Sequence, residues 1–326
     1  MRVLVTGGYG FIGSNLVKEL TRHNVCIDIV DDLSSGNKEQ LEGLDVREVL
    51  PELIAFDTRS DAEKINFYKC DFAYDNILSK IASGCYDTIY HLAAIPRVAF
   101  SVENPAETTE VNLMRTVKLF DAARYGKTRV VFSSSSSVYG GASVLPTPSD
   151  HQKNPKSPYA WQKSACEDIA KLYCSLYKES DIVCLRYFNV FGPGQYGDSP
   201  YATAVSAWCH ATANNELCRS DGDGTQSRDM CYVDNVVQAN LLAATKEGRF
   251  RGNCYNVACG DRTTNNEILT YFIDNFGSKV RSAPWRPGDV MHTQADISDT
   301  IRDLGYNPEV KFWDGLERTV KWWGLK

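Results

Sequence analysis

The sequence predicts an α/β chain, a doubly wound parallel sheet followed by a smaller C-terminal α/β substrate lobe, and three observations carry that prediction. Short apolar runs alternate with amphipathic stretches from residue 2 to about residue 188, the alternation that parallel strands and their crossover helices produce. VLV, and the VVF of RVVF, are apolar at every position, as strands covered on both faces are. A length of 326 residues suffices for two folding units, and beyond about residue 190 the regular alternation stops.

The elements follow in order. RVLVT (2–6) is an apolar run ended by glycines, and FIGSNLVKEL behind it spaces its apolar residues as a helix does. CIDIV ends in Asp31 and Asp32; the polar link from there to Asp71 has helical propensity in EQLEGLDVREVLPEL and is expected as a surface excursion. NFYKC (66–70) and YDTIYHLAA (86–94) read as strands, 106–125 as a long helix, TRVVFSS (128–134) as a strand, 158–178 as a helix and DIVCLRYF (181–188) as a strand. FGPGQYGDSP is a turn-rich connector. The expected division is a dinucleotide domain over 1–190, with later segments at about 229–260 returning to it, and a substrate lobe over 191–326.

Composition narrows the function classes. Charged residues are 23% and hydrophobic ones 43%, ordinary for a soluble globular chain, and no apolar run reaches the roughly 18 residues of a membrane span. A net charge of −6 disfavours nucleic acid as a partner. Eleven cysteines with no C-x-x-C are expected to be thiols used as small hydrophobes, and five histidines show no ligand spacing, so no metal is expected. No signal peptide precedes VLVTGG, from which a reducing cytoplasm is expected.

Two motifs carry chemistry. TGGYGFIG places Gly7, Gly10 and Gly13 between a strand and a helix, and Gly8, Gly10 and Gly13 also satisfy G-x-G-x-x-G. Glycine serves there for a tight turn, for close backbone approach to a diphosphate and for helix-on-strand contact, with the helix N-terminus facing the phosphates; this is the Rossmann-type arrangement. Asp31, at the end of the next strand, can accept both adenosine ribose hydroxyls and would repel a 2′-phosphate, which favours NAD over NADP. A turn role for Asp31 and Asp32 is the alternative. Tyr159 and Lys163 form Y-x-x-x-K, a spacing that is weak alone. Ser157 can cap and Pro158 suits the first position of a helix, so Tyr159 and Lys163 share one face of its first turns. The ammonium and the helix end both favour phenolate, as would an oxidised nicotinamide nearby, and bringing a phenol from about 10 towards 7 takes about 4 kcal/mol, which three such charges can supply. The plainer alternative is a packed tyrosine beside a solvated lysine.

With KCD (69–71), HLAA (91–94), FSSSSSVYG (132–140), SPYAWQK, RYFNVFGPGQ (186–195), DGDGTQSRDMCYVDNVVQAN (221–240) and RPGDVMHTQADIS (286–298), the chain resembles the extended short-chain dehydrogenase/reductases. Within them it is similar to the NAD-dependent nucleotide-sugar 4-epimerases, over nearly its whole length. The resemblance implies that Phe11 and Ile12 face the NAD diphosphate, that Asp71 and Phe72 line the adenine, and that Ala93, Ala94 and Asn112 line the nicotinamide side. It implies that Lys163 reaches the nicotinamide ribose, that Phe188 flanks the ring, and that Ser135 is the catalytic hydroxyl beside Tyr159; a flexible polar turn is the alternative for the serine run. For the substrate it implies Asn189 and Arg228 on the diphosphate, Arg286 and Asp289 on diphosphate and ribose, and the Ala204–Val205 region at the uridine, with a surface ion pair as the alternative for either arginine.

Ser136 and Ser137 stand where the related 4,6-dehydratases carry Asp and Glu, which argues against elimination. Thr293 stands where glucose-only epimerases carry tyrosine, so the resemblance implies UDP-N-acetylglucosamine and its galacto epimer as substrates, alongside UDP-glucose. The alternatives are a UDP-glucuronate 4-epimerase, which needs a cation near carbon 6 such as Arg97, a 4,6-dehydratase, and a non-catalytic NAD-sensing protein. A homodimer through the helices at 106–125 and 158–178 is also implied.

Overall fold

The computed structural model describes residues 1–53, 65–197, 202–285 and 290–326. Strands β1 (Arg2–Thr6), β2 (Cys26–Val30), β3 (Arg47–Glu48), β4 (Ile65–Tyr68), β5 (Thr88–His91), β6 (Arg129–Ser135), β7 (Asp181–Tyr187) and β12 (Cys254–Val257) form one sheet in the order β12-β7-β6-β5-β1-β2-β4-β3. The shorter strands are β8 (Val190–Phe191), β9 (Cys218–Asp221), β10 (Ser227–Arg228), β11 (Cys231–Tyr232), β13 (Thr263–Thr264) and β14 (Val280–Ala283). The helices are α1 (Phe11–Leu20), α2 (Asp75–Ala82), α3 (Val98–Glu103), α4 (Pro105–Thr109), α5 (Thr116–Gly126), α6 (Pro158–Leu176), α7 (Ala204–Ala213), α8 (Val233–Thr245), α9 (Asn265–Phe276), α10 (Ser298–Leu304) and α11 (Phe312–Trp322).

The chain divides into two units, one of residues 1–135, 157–186 and 239–255, the other of 136–156, 187–238 and 256–326. In the first, β1 pairs in parallel with β2 and β5, β2 with β4, and β5 with β6, so strand succession reverses direction across the sheet at β1. Every residue of β1 is buried, as its unbroken apolar run requires. Leu4, Ile89, Val130, Phe132, Phe120 and Ile182 belong to one core cluster. The doubly wound sheet is therefore as the sequence predicts.

Two local readings change. The stretch expected as a single helix over 106–125 is α4, then a π-helical turn over Glu110–Arg115, then α5. The wider turn surrounds Asn112, whose side chain bonds away from its own helix. Among the described residues ahead of β4, the polar link forms 3-10 turns at Lys38–Leu41 and Pro51–Leu53 and the two-residue edge strand β3; residues 54–64 lie outside those described. Gly43, at φ +86°, and Pro51 interrupt its helical propensity.

The second unit has parallel pairs β8–β11 and β9–β14 and the antiparallel pair β10–β13. Helix α9 is held by a reciprocal cap between Thr264 and Glu267. The cysteines are thiols, and Cys85, Cys166, Cys184, Cys209, Cys218 and Cys231 are buried. Among the described residues no helix is long and apolar enough to cross a membrane.

Candidate functional site

In the first unit, β1 runs into a turn whose glycines are dictated by contact. Gly7 has φ +71°, and a Cβ there would lie 2.8 Å from the Ala93 nitrogen; a Cβ on Gly13 would lie 2.1 Å from the Gly7 carbonyl oxygen. Gly10 N–H donates to the Gly7 carbonyl at 3.1 Å, and α1 starts at Phe11 with no side-chain cap. The first-turn N–H groups of Phe11, Ile12 and Gly13 thus meet no capping side chain, an arrangement suited to a diphosphate. Nothing but glycine fits these contacts, so the turn has the bare-backbone cradle that a dinucleotide needs.

Asp31 follows β2 and is 8% exposed. Its two carboxylate oxygens accept Tyr9 N–H at 2.9 Å and Leu33 N–H at 2.8 Å. Burial pushes its pKa up and those two bonds pull it down. Each oxygen keeps a lone pair for a further donor, as a ribose hydroxyl is. Asp71 pairs with Arg115 and accepts Ala73 N–H at 2.7 Å. Phe72 is buried, its ring 4.8 Å from that of His91.

Behind the turn lies a network that sequence reasoning missed. His91 Nδ1 meets Thr6 Oγ1 at 2.7 Å, and its Nε2 meets Thr116 Oγ1 at 3.0 Å. Burial pushes its pKa down to about 3, so the ring is neutral. Ala93 N–H donates to Thr6 Oγ1 at 3.2 Å, and Ala94 lies half-buried in the same loop. Asn112 closes the far side: its Oδ1 accepts Ile95 N–H at 2.7 Å, and its Nδ2 donates to Gln162 Oε1 at 2.8 Å and to the Ile95 carbonyl at 3.1 Å. Its amide holds the loop after β5 in place.

Helix α6 begins as read from the sequence, with Ser157 Oγ accepting Ala160 N–H at 3.2 Å and Pro158 at the first position. Tyr159 is 9% exposed and hydrogen-bonded to the Ser135 hydroxyl. Lys163 is buried, donates from Nζ to the Ser133 carbonyl at 2.8 Å, and sits 5.9 Å from the Tyr159 ring centre. The serine, tyrosine and lysine expected to act together are thus in one place. Burial drives Tyr159 up to about 12, the Ser135 bond opposing it, and drives Lys163 down to about 8. In this unit's own groups desolvation is the larger influence on Tyr159; the oxidised nicotinamide, the third charge expected to favour phenolate, belongs to the cofactor.

In the second unit, Phe188 is buried in a cluster with Val138, Tyr139, Ala258 and Ala295. Asn189 has φ +34°, and its Nδ2 donates to the Asp229 carbonyl at 2.9 Å and to Thr293 Oγ1 at 3.1 Å. Thr293 Oγ1 also accepts Asp229 N–H at 3.1 Å. Arg228 donates to the Ser227 and Met291 carbonyls, each at 3.1 Å. Asp229, which sequence reasoning passed over, is fully buried and accepts N–H groups of Cys259, Gly260 and Ala295 at 2.9, 3.1 and 3.0 Å. Burial pushes its pKa up to about 7 against those three bonds. Ala204 and Val205 open α7, Val205 buried. Arg286 and Asp289 lie outside the described residues.

Comparison with known proteins agrees with this geometry. The chain is 33% identical to the UDP-glucose 4-epimerase of Mycolicibacterium smegmatis over 332 residues, covering 100% of this chain and 99% of that one. It superposes with a TM-score of 0.87 and 36% identity on the UDP-N-acetylglucosamine 4-epimerase from Methanobrevibacter ruminantium in complex with UDP-N-acetylmuramic acid, covering 98% of this chain and 97% of that one. A Thermus thermophilus UDP-glucose 4-epimerase in complex with NAD superposes with a TM-score of 0.82 at 28% identity, covering 99% of each chain. Proteins named as a decarboxylase and as 4,6-dehydratases are also among the relatives. The profile of the NAD dependent epimerase/dehydratase family matches residues 3–258, and with the glycine cradle, Asp31 and the Ser135–Tyr159–Lys163 group in place, the chain belongs to that family of NAD-dependent enzymes.

Proposed function

We propose that the protein catalyses 4-epimerisation of a UDP-sugar, with UDP-N-acetylglucosamine and its galacto epimer as the first substrates and UDP-glucose as a second. One observation carries the reaction class: Ser135, Tyr159 and Lys163 stand together in the unit that holds the glycine cradle, while the next positions, Ser136 and Ser137, offer no carboxyl acid for elimination. The relatives support the sugar class, one of them carrying a UDP-N-acetylated sugar.

Gly7, Gly10, Phe11, Ile12, Gly13 and Asp31 would hold NAD, whose chemistry when bound is to take hydride from carbon 4 and return it, with a positive charge in its oxidised form. Tyr159 takes the 4-hydroxyl proton, and Ser135 shares the hydrogen bond at the same oxygen. Lys163, as ammonium, favours the phenolate and is itself held by the Ser133 carbonyl. The proton goes to the tyrosine oxygen and comes back to the 4-oxygen once the 4-keto sugar has turned its other face, so atoms and electrons balance without an external reductant. Turning about the phosphate linkage requires the nucleotide to stay fixed, the role read for Asn189 and Arg228, and a roomy sugar site.

A panel of UDP-sugars, with product identity read by NMR, tests the reading; conversion of UDP-glucose with the acetamido sugar untouched would sink the substrate assignment. Thr293→Tyr should suppress acetamido turnover selectively, and the hydrogen bonds of Thr293 add a second expectation. Thr293→Val keeps the volume but removes the acceptor from Asn189 and Asp229. It should keep the preference for the acetamido sugar while raising KM by roughly three- to tenfold, about 1 kcal/mol of lost positioning. Equal effects of valine and tyrosine on the substrate ratio would remove size as the discriminator.

A homodimer belongs to the same proposal. Trp161, Leu172 and Leu176 of α6 are 51%, 51% and 62% exposed, an outward apolar face that a second copy would cover. Leu172→Glu should shift the protein to monomer in sedimentation at micromolar concentration; an unaltered protein that sediments as monomer counts against the dimer.

A further inference from the structure

Three consecutive serines close β6, and each is tied to a different level of α6. The Ser133 carbonyl takes Lys163 Nζ at 2.8 Å, the Ser134 hydroxyl donates to Glu167 Oε1 at 2.6 Å, and the Ser135 hydroxyl meets Tyr159. Positions 159, 163 and 167 recur every four residues and so share one helix face. From β7, Arg186 grips the same carboxylate bidentately, Nε to Oε1 at 2.8 Å and Nη2 to Oε2 at 2.7 Å. Ser134, Glu167 and Arg186 are all buried.

We infer that Glu167 is a positioning residue for the Ser135–Tyr159–Lys163 group: clamped by Ser134 and Arg186, it fixes the height and rotation of α6 against β6 and β7, and its charge faces the Lys163 ammonium. This rests on the proposed function. A buried ion pair is poor grounds for stability, since desolvation offsets the attraction and apolar residues of equal volume pack as well. Direction is what the pair adds, because a bidentate guanidinium–carboxylate contact tolerates little rotation. Lys163 faces Tyr159, Cys166 and Glu167 of its own helix, His91 of β5 and Cys184 of β7, which in turn faces Cys254 of β12. Burial keeps Cys166 a thiol and His91 neutral, and the contact with Cys254, with burial behind it, keeps Cys184 a thiol. Besides Tyr159 itself, Glu167 is therefore the group in that set able to carry negative charge against the ammonium.

The test uses the NAD-loaded protein. Glu167→Gln should lower kcat roughly tenfold with KM within about twofold, and move the alkaline limb of kcat against pH down by roughly one pH unit. Ser134→Ala leaves the charge, and should lower kcat without moving the limb. If Glu167→Gln folds poorly, the double change Glu167→Met with Arg186→Met restores packing without direction; it should melt like the unaltered protein and keep the lowered kcat. A folded double variant with unaltered kcat and pH limb overturns the proposal. A readout without turnover is the phenolate absorbance of Tyr159, taken as the difference from Tyr159→Phe. In Glu167→Gln it should appear at higher pH, because the ammonium is lost earlier; an unmoved titration also overturns the proposal. Absence of turnover by the unaltered protein would instead strike the proposed function and leave that titration readable.

Discussion

Tyr159→Phe is expected to lower the epimerisation rate by roughly two to four orders of magnitude, the range that a positioned general base supplies. The ring is packed and only 9% exposed, so phenylalanine keeps the shape and removes only the hydroxyl. Losing the bond to Ser135 should cost about 1 kcal/mol of stability, small enough that melting and NAD content separate a folding defect from a chemical one. A folded variant turning over UDP-sugar at the unaltered rate would exclude Tyr159 as the base.

The same residue sets the pH dependence. Bringing a phenol from about 12 to neutral pH takes about 7 kcal/mol of differential stabilisation, more than the sequence alone suggests, because burial adds to the demand. Lys163 must then be charged, yet burial lowers its pKa from 10.5 to about 8. A base lowered in this way is charged below that value and neutral above it. The rate should therefore fall as pH rises through about 8; a rate rising without a break from pH 7 to beyond 10 would exclude an ammonium requirement.

What could be read from the sequence was what has a local signature. The glycine turn between β1 and α1 and the Ser157–Pro158 start of α6 depend on neighbours a few residues apart, and both are where the spacing puts them. The π-helical turn at Asn112 was not read from the sequence, and the partner of the Asn112 amide there, Gln162, lies on another helix 50 residues on. Within the serine run the sequence pointed to Ser135, and Ser134 showed only as a polar position, since its partner Glu167 lies 33 residues on. The hydroxyl of Thr293 was read by its size, and its bond to Asn189 spans 104 residues. Buried polar groups find partners through the fold, so their pairing follows from topology and not from spacing.

Gly13→Ala should weaken NAD binding roughly a hundredfold, about 2.7 kcal/mol, and lower the melting temperature by several degrees. In a free helix alanine is the better residue by about 1 kcal/mol, and Gly13 needs no unusual backbone angle, so only contact can reverse the sign. The added Cβ would lie 2.1 Å from the Gly7 carbonyl oxygen and 2.9 Å from the Gly8 Cα, both backbone atoms. No side chain can swing aside, and α1 must lift away from β1, carrying the first-turn N–H groups with it. Gly43→Ala is the matched contrast: φ is +86° and nothing lies within 4 Å of its Cβ position. There alanine meets backbone strain without a clash, costing about 1 kcal/mol of stability and leaving NAD affinity unchanged. Titration of NAD into both variants, with melting alongside, separates the cases; equal NAD affinity in the two would show that the cradle tolerates a methyl group and is not set by close approach.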